Sequence, residues 1–252
     1  MEPRKSDEEL SLWQHLAELR NYFFISLTAL IIGAVVTHNF NKEIIELLFA
    51  PLGTQSLVFL SPLDPLLFIF KVDFFGGFLL SLPVIAFCAF RFIAPALGKR
   101  SNWHVIAFLM ICTVLVLVAS IYTYLLLLPL SIGFLLSIQV PGVENFFTAD
   151  RYMDFALMQL TIMIGIFQIP CIIAALAYTR VLDPGVIARR RGLAYLVAII
   201  ALSILTPTSD LYTLGLFLVP TLLLFEISLI IGRAVYSIRT SGFKSYEQTT
   251  HT

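Results

Sequence analysis

The chain has 252 residues, 59% of them hydrophobic and 13% charged, and its 16 basic and 16 acidic side chains cancel. A composition this apolar leaves too little polar surface to cover a water-soluble fold, so a soluble domain is excluded. The zero net charge points to no partner by itself; only the distribution of charge is informative. Residues 1–20 are polar, and Leu10, Leu12, Trp13, Leu16 and Leu19 recur there at helical spacing. That pattern predicts an amphipathic helix over Glu9–Arg20 on the cytoplasmic surface, leading into a first span over Asn21–Phe40. The run from Tyr22 is too long for a secretory h-region, and Thr37-His38-Asn39 offers no cleavage site, so no cleaved leader is expected. Lys42–Leu48 reads as a second short amphipathic helix on the outer interface, stopped by Pro51.

A second span follows over Leu66–Phe90. The third apolar run, Trp103–Ile138, is 36 residues long. As one helix it measures about 54 Å against about 30 Å of hydrocarbon. Pro129 lies inside it and predicts a kink that bends the far end over the outer face. Two crossings would need a polar break that Leu125–Leu128 does not supply. Spans four, five and six read as Tyr152–Tyr178, Leu193–Leu205 and Leu211–Ile231. The fifth covers only about 20 Å, so this hairpin thins the bilayer locally or hides behind longer helices. The prediction is an all-α polytopic protein of six transmembrane helices, with a long kinked third helix and short fifth and sixth helices. Residues 1–240 form one membrane domain, and 241–252 read as a disordered cytoplasmic tail.

Basic residues sort by loop. Thirteen lie in the two tails and the second and fourth loops: Arg4, Lys5, Arg20, Arg91, Lys99, Arg100, Arg180, Arg189, Arg190, Arg191, Arg233, Arg239 and Lys244. The first, third and fifth loops hold only Lys42 and Arg151. Basic loops resist translocation, so both termini are placed in the cytoplasm.

Ionisable groups inside a bilayer cost about 2.5–3.5 kcal/mol on insertion scales, so each needs a reason. Glu226 lies two turns before Arg233; it is either paired to a basic residue near the cytoplasmic end or turned toward a wet concavity. Gln168, two residues before Pro170, either satisfies the backbone or a neighbouring helix or faces a partner. Lys71 can snorkel to the outer interface, whereas Asp73 cannot reach as far and has no account from sequence. Glu18 is either an i, i+3 partner of His15, a solvated carboxylate, or a carboxylate presented to a cationic peptide. Cys88, Cys112 and Cys171 fall within spans and read as buried small hydrophobes. No phosphate-binding loop, nucleophile–base pair, metal-ligand spacing or Gly-xxx-Gly pair is present, so catalytic residues, cofactors and a metal are not expected.

The segments His15-Leu16-Ala17-Glu18-Leu19-Arg20, Ala50-Pro51-Leu52, Ser61-Pro62, Leu82-Pro83-Val84 and Phe92-Ile93-Ala94-Pro95-Ala96-Leu97 stand in this order, with Lys71 between the third and fourth. They are followed by Pro129-Leu130, Phe167-Gln168-Ile169-Pro170, Leu205-Thr206-Pro207 with Asp210, and Leu223-Leu224-Phe225-Glu226. Together they resemble the TatC family, the signal-recognising core of the twin-arginine protein translocase. The resemblance implies a concave, glove-like bundle without catalysis, in a bacterial inner membrane or an organellar membrane. It further implies that twin-arginine signal peptides are bound at the cytoplasmic face. Partners would be single-span TatA/TatB-type subunits and further copies of the chain in a larger complex, with no nucleic acid. By position, Glu18, Leu16 and Arg20, with Phe92, Pro95, Leu97 and Ser101, would form the signal site. Gln168, Pro51, Asp210 and Glu226 would lie on the concave, partner-docking face. Two departures stand out: Ser101 occupies a position where the family usually has a glutamate, and Asn21-Tyr22 replaces a basic pair.

A rival reading is a small secondary transporter with Asp73, Gln168 and Glu226 on its substrate path. The halves of such a protein usually show related hydropathy, and these do not.

Overall fold

The structure, a computed structural model, describes residues 12–53, 57–93, 102–138, 147–178, 181–206 and 210–250. Ten α-helices carry most of them: α1 (Leu12–Asn39), α2 (Asn41–Phe49), α3 (Asp64–Ile93), α4 (Asn102–Tyr122), α5 (Leu128–Ser137), α6 (Ala149–Phe167), α7 (Ile169–Tyr178), α8 (Pro184–Arg189), α9 (Arg191–Leu205) and α10 (Leu211–Thr250). Two two-residue strands, β1 (Leu57–Val58) and β2 (Phe147–Thr148), pair in parallel with Leu57 opposite Phe147. Among the described residues five stretches are long and apolar enough to cross a membrane: Leu16–Asn39, Asp64–Ala89, Ile106–Ser137, Ala149–Tyr178 and Leu211–Ser237. Arg191–Leu205, where the sequence predicts a fifth span, is an apolar helix of 15 residues, short of that length.

The chain divides into two compact units, residues 1–41 with 72–109, and 42–71 with 110–252. In the first, α1 and the later part of α3 cross where their glycines meet. A Cβ added at Gly33 would lie 2.7 Å from the carbonyl oxygen of Gly77, and one at Gly77 would lie 2.5 Å from the amide nitrogen of Ala34. Thr37 fills the space over Gly76, its hydroxyl donating to the Gly33 carbonyl. Backbones approach this closely only where side chains are absent. The absence of a Gly-xxx-Gly spacing within either helix hides the crossing, because its glycines come from two segments.

In the second unit, proline positions decide where helices bend and what repairs them. Pro129 lacks an N–H and crowds the carbonyl four residues earlier. The helix answers with a π turn at Thr123–Leu127, so the predicted kink of the long third span is a widened turn between α4 and α5. Pro170 breaks the fourth span at Gln168, between α6 and α7. Pro220, inside α10, leaves the Leu216 carbonyl without its helical donor, and the Tyr122 hydroxyl donates to that oxygen at 2.9 Å. Tyr122→Phe should therefore orphan a carbonyl within the membrane. The expected loss is about 1–2 kcal/mol, read as a lower melting temperature in detergent, while Tyr124→Phe leaves it unchanged.

The remaining core joins α2 to α5 and α6. Leu52, Leu128, Ile132, Tyr152 and Ala156 are buried together, with Phe49 and Leu57 packed against them. Helix α2 ends as expected at Pro51, through a 3-10 turn over Ala50–Leu52, and the Tyr152 hydroxyl donates to the Leu48 carbonyl left open there. Helix α10 runs on to Thr250, since no proline follows Pro220 and a lone Gly242 does not stop a helix already propagating.

Candidate functional site

The register of the glycine crossing places the predicted signal-site residues. Gly33 meets Gly77, Thr37 meets Gly76, and His38 pairs with Asp73, so numbers rise on α1 as they fall on α3 and the helices are antiparallel. Glu18 lies fifteen residues before Gly33, and Phe92 lies fifteen after Gly77. Both arms measure about 22 Å, so Glu18 and Phe92 come to the same end of the pair. At that end Leu16, Leu19 and Arg20 are exposed, while Glu18 and Phe92 are half-buried. One carboxylate oxygen of Glu18 is buried without a hydrogen-bond partner among the described residues. Such a group is costly in isolation, and its cost falls when a donor arrives. Pro95, Leu97 and Ser101 lie outside the described residues.

Asp73, for which sequence offers no account, accepts a hydrogen bond from His38 Nδ1 at 2.7 Å, with its side chain only 13% exposed. The sign in the sequence was His38 at the far end of span one, where the antiparallel crossing brings the start of span two.

Lys71 does not simply snorkel. Its ammonium sits 2.6 Å from Asp150 Oδ1 and 2.7 Å from Asp154 Oδ1. These carboxylates are four residues apart on α6, hence on one face, and that spacing was readable. Lys71 thus ties the first turns of α3 to α6, while Asp73 turns to His38 on α1, as expected of residues two apart on a helix.

Of the predicted concave-face residues, Gln168, Asp210 and Glu226 each have a local partner. Gln168 Nε2 donates to the Cys112 carbonyl at 3.1 Å, joining the helix break to α4. Of the two roles read for Gln168, the neighbouring-helix bond is present. Asp210 accepts from the Thr213 amide at 2.6 Å and caps α10. Pro51 sits in the 3-10 turn that ends α2. Glu226 accepts a hydrogen bond from the Tyr195 hydroxyl and has Arg191 Nη1 at 3.9 Å, its side chain 38% exposed. The basic partner foreseen for Glu226 is therefore Arg191; Tyr195 was missed, although Arg191 and Tyr195 are one helical turn apart. Cys88, Cys112 and Cys171 are free and buried, as expected. Among the described residues no cluster of His, Cys, Asp or Glu could hold a metal ion.

Comparison with known proteins adds to this geometry. Residues 14–220 match the family model described as TatC, Sec-independent protein translocase protein. The chain is 31% identical over 231 residues to the Sec-independent protein translocase protein TatC of Aquifex aeolicus, covering 89% of this chain and 95% of that one. It is 30% identical over 235 residues to the TatC of Magnetococcus marinus, covering 91% and 86%. A crystal structure titled as the twin arginine translocase receptor TatC superposes with a TM-score of 0.75 at 30% identity, over 88% of this chain and 99% of that one.

Proposed function

The chain belongs to the TatC family of Sec-independent protein translocase proteins, and from that premise we propose that it is the subunit that receives twin-arginine signal peptides. As a translocase component it is a multi-pass membrane protein and not an enzyme. In the proposed arrangement the chain crosses a bacterial cytoplasmic membrane six times, with α9 as the short fifth crossing and both termini in the cytoplasm. The division of thirteen basic residues against two supports that orientation.

The observation that carries the signal-binding reading is Glu18. It is a carboxylate in the second turn of α1, with one oxygen unpartnered among the described residues, at the end of the helix pair where Phe92 also lies. A guanidinium offers the two parallel donors that such a group takes best, which makes arginine a better ligand than lysine. Bound cargo would then be passed to single-span TatA/TatB-type subunits docking on the face that carries Gln168, with several copies of the chain in one complex and proton-motive force driving transport. The family assignment also accounts for the polar residues that suggested a transporter, since Asp73, Gln168 and Glu226 each serve a separate local contact.

Expression in cells lacking their own TatC, together with single-span subunits from the same source as this chain, tests the function. A folded reporter with an Arg-Arg signal should reach the far side of the membrane, and the same reporter with Lys-Lys should stay in the cytoplasm. Export of both, or of neither, would count against the reading.

A further inference from the structure

Three arginines stand in sequence between α8 and α9, and they are not equivalent. Arg191 has Glu226 at 3.9 Å, so its charge is answered. Arg189 uses its Nε to donate to the Gly185 carbonyl, and Arg190 sits in the turn itself; both are exposed, and neither is ion-paired among the described residues. Two exposed cationic residues therefore stand next to each other with no acid at ion-pair distance among the described residues.

Directly below them α9 carries an outward apolar ridge. Leu193, Leu196, Val197, Ile200 and Ile204 are all more than half exposed and recur at spacings of three and four. At 15 residues α9 is about 22 Å long, against a hydrocarbon layer of about 30 Å. Lipids beside so short a helix must draw their headgroups inward, toward its charged end. The ligand suited to a pair of guanidiniums above an apolar ridge has a negatively charged phosphodiester head and acyl tails.

We propose that Arg189 and Arg190, with the outward ridge of α9, form a binding site for an anionic glycerophospholipid. The site is separate from the proposed signal site and stands or falls independently of it. Each arginine near a membrane surface contributes about 1 kcal/mol of attraction to anionic lipid, so the pair gives a preference of tenfold or more over a zwitterionic lipid.

Native mass spectrometry of the full chain, released from detergent with phosphatidylglycerol or phosphatidylcholine, reads this directly. Wild type should retain phosphatidylglycerol with that preference. The Arg189→Gln, Arg190→Gln double variant should lose it, and the Arg189→Lys, Arg190→Lys variant should keep most of it. A large excess of inorganic phosphate should leave the lipid in place, because the ridge holds the tails. An unchanged preference in the Gln variant, equal loss in the Lys variant, or displacement by phosphate alone would each overturn the assignment.

Discussion

Glu18→Ala is expected to abolish export of a twin-arginine reporter in cells that depend on this chain, while the protein remains in the membrane at its usual level. The expectation follows from the makeup of the second loop, which faces the cytoplasm in the proposed topology. Between Arg91 and Glu144 the sequence has no carboxylate, and by the family resemblance Ser101 stands where a glutamate is expected. Glu18 must then supply the charge complement for an incoming pair of arginines with little help from that loop. Losing a charge-assisted bond of this kind costs about 2–3 kcal/mol, or a factor of roughly 30–150 in affinity. Glu18→Gln preserves shape and one acceptor but not the charge, so it should fail nearly as fully. Glu46→Gln is the informative contrast: its carboxylate is exposed on α2 and belongs to no proposed site, and export should persist. Reporter activity outside the cell, normalised to the amount of chain in the membrane, measures all three.

Gly77→Leu should have the second large effect, through architecture and not through contact with a signal. The added side chain would begin 2.5 Å from the Ala34 amide nitrogen, in a place bounded by backbone that no rotamer change can clear. Overpacking usually costs about 1–3 kcal/mol, and more where backbones must part. Separating α1 from α3 would also break the His38–Asp73 pair and move the Glu18 and Phe92 ends apart. We expect the variant to accumulate poorly and the surviving fraction to export nothing, with Gly77→Ala intermediate. Gly133→Leu should accumulate and export normally, since nothing lies within 4 Å of a Cβ there. Immunoblots of membranes alongside the export assay distinguish the two variants.

Much of the fold was legible because apolar runs and prolines act locally. The helix stopped at Pro51, the break near Pro170 and the disturbance before Pro129 all follow from a missing N–H and a crowded carbonyl, which sequence displays directly. What sequence could not display is the far partner of each local event. Nothing near Pro220 announces that Tyr122, on another helix, will take up the Leu216 carbonyl. Likewise Asp73 had no account until the crossing at Gly33 and Gly77 brought His38 beside it. Lys71 reads as a solitary snorkelling cation when its span is considered alone, while Asp150 and Asp154 lie two spans further along the chain.

The candidate site was legible in a different sense. Glu18 was singled out by its place before the first span and by family resemblance, and the structure adds the register that carries it to the same end as Phe92.

The central claim is that a twin-arginine signal is received beside Glu18, and site-specific photocrosslinking tests it most directly. A photoreactive residue in place of Leu19, an exposed neighbour of Glu18 on α1, would be placed in the full chain in membranes and challenged with a precursor protein. The account predicts a crosslink to the Arg-Arg precursor that is lost with Lys-Lys and lost again when Glu18→Ala is added. Equal crosslinking to both precursors, or a crosslink indifferent to Glu18, would contradict it.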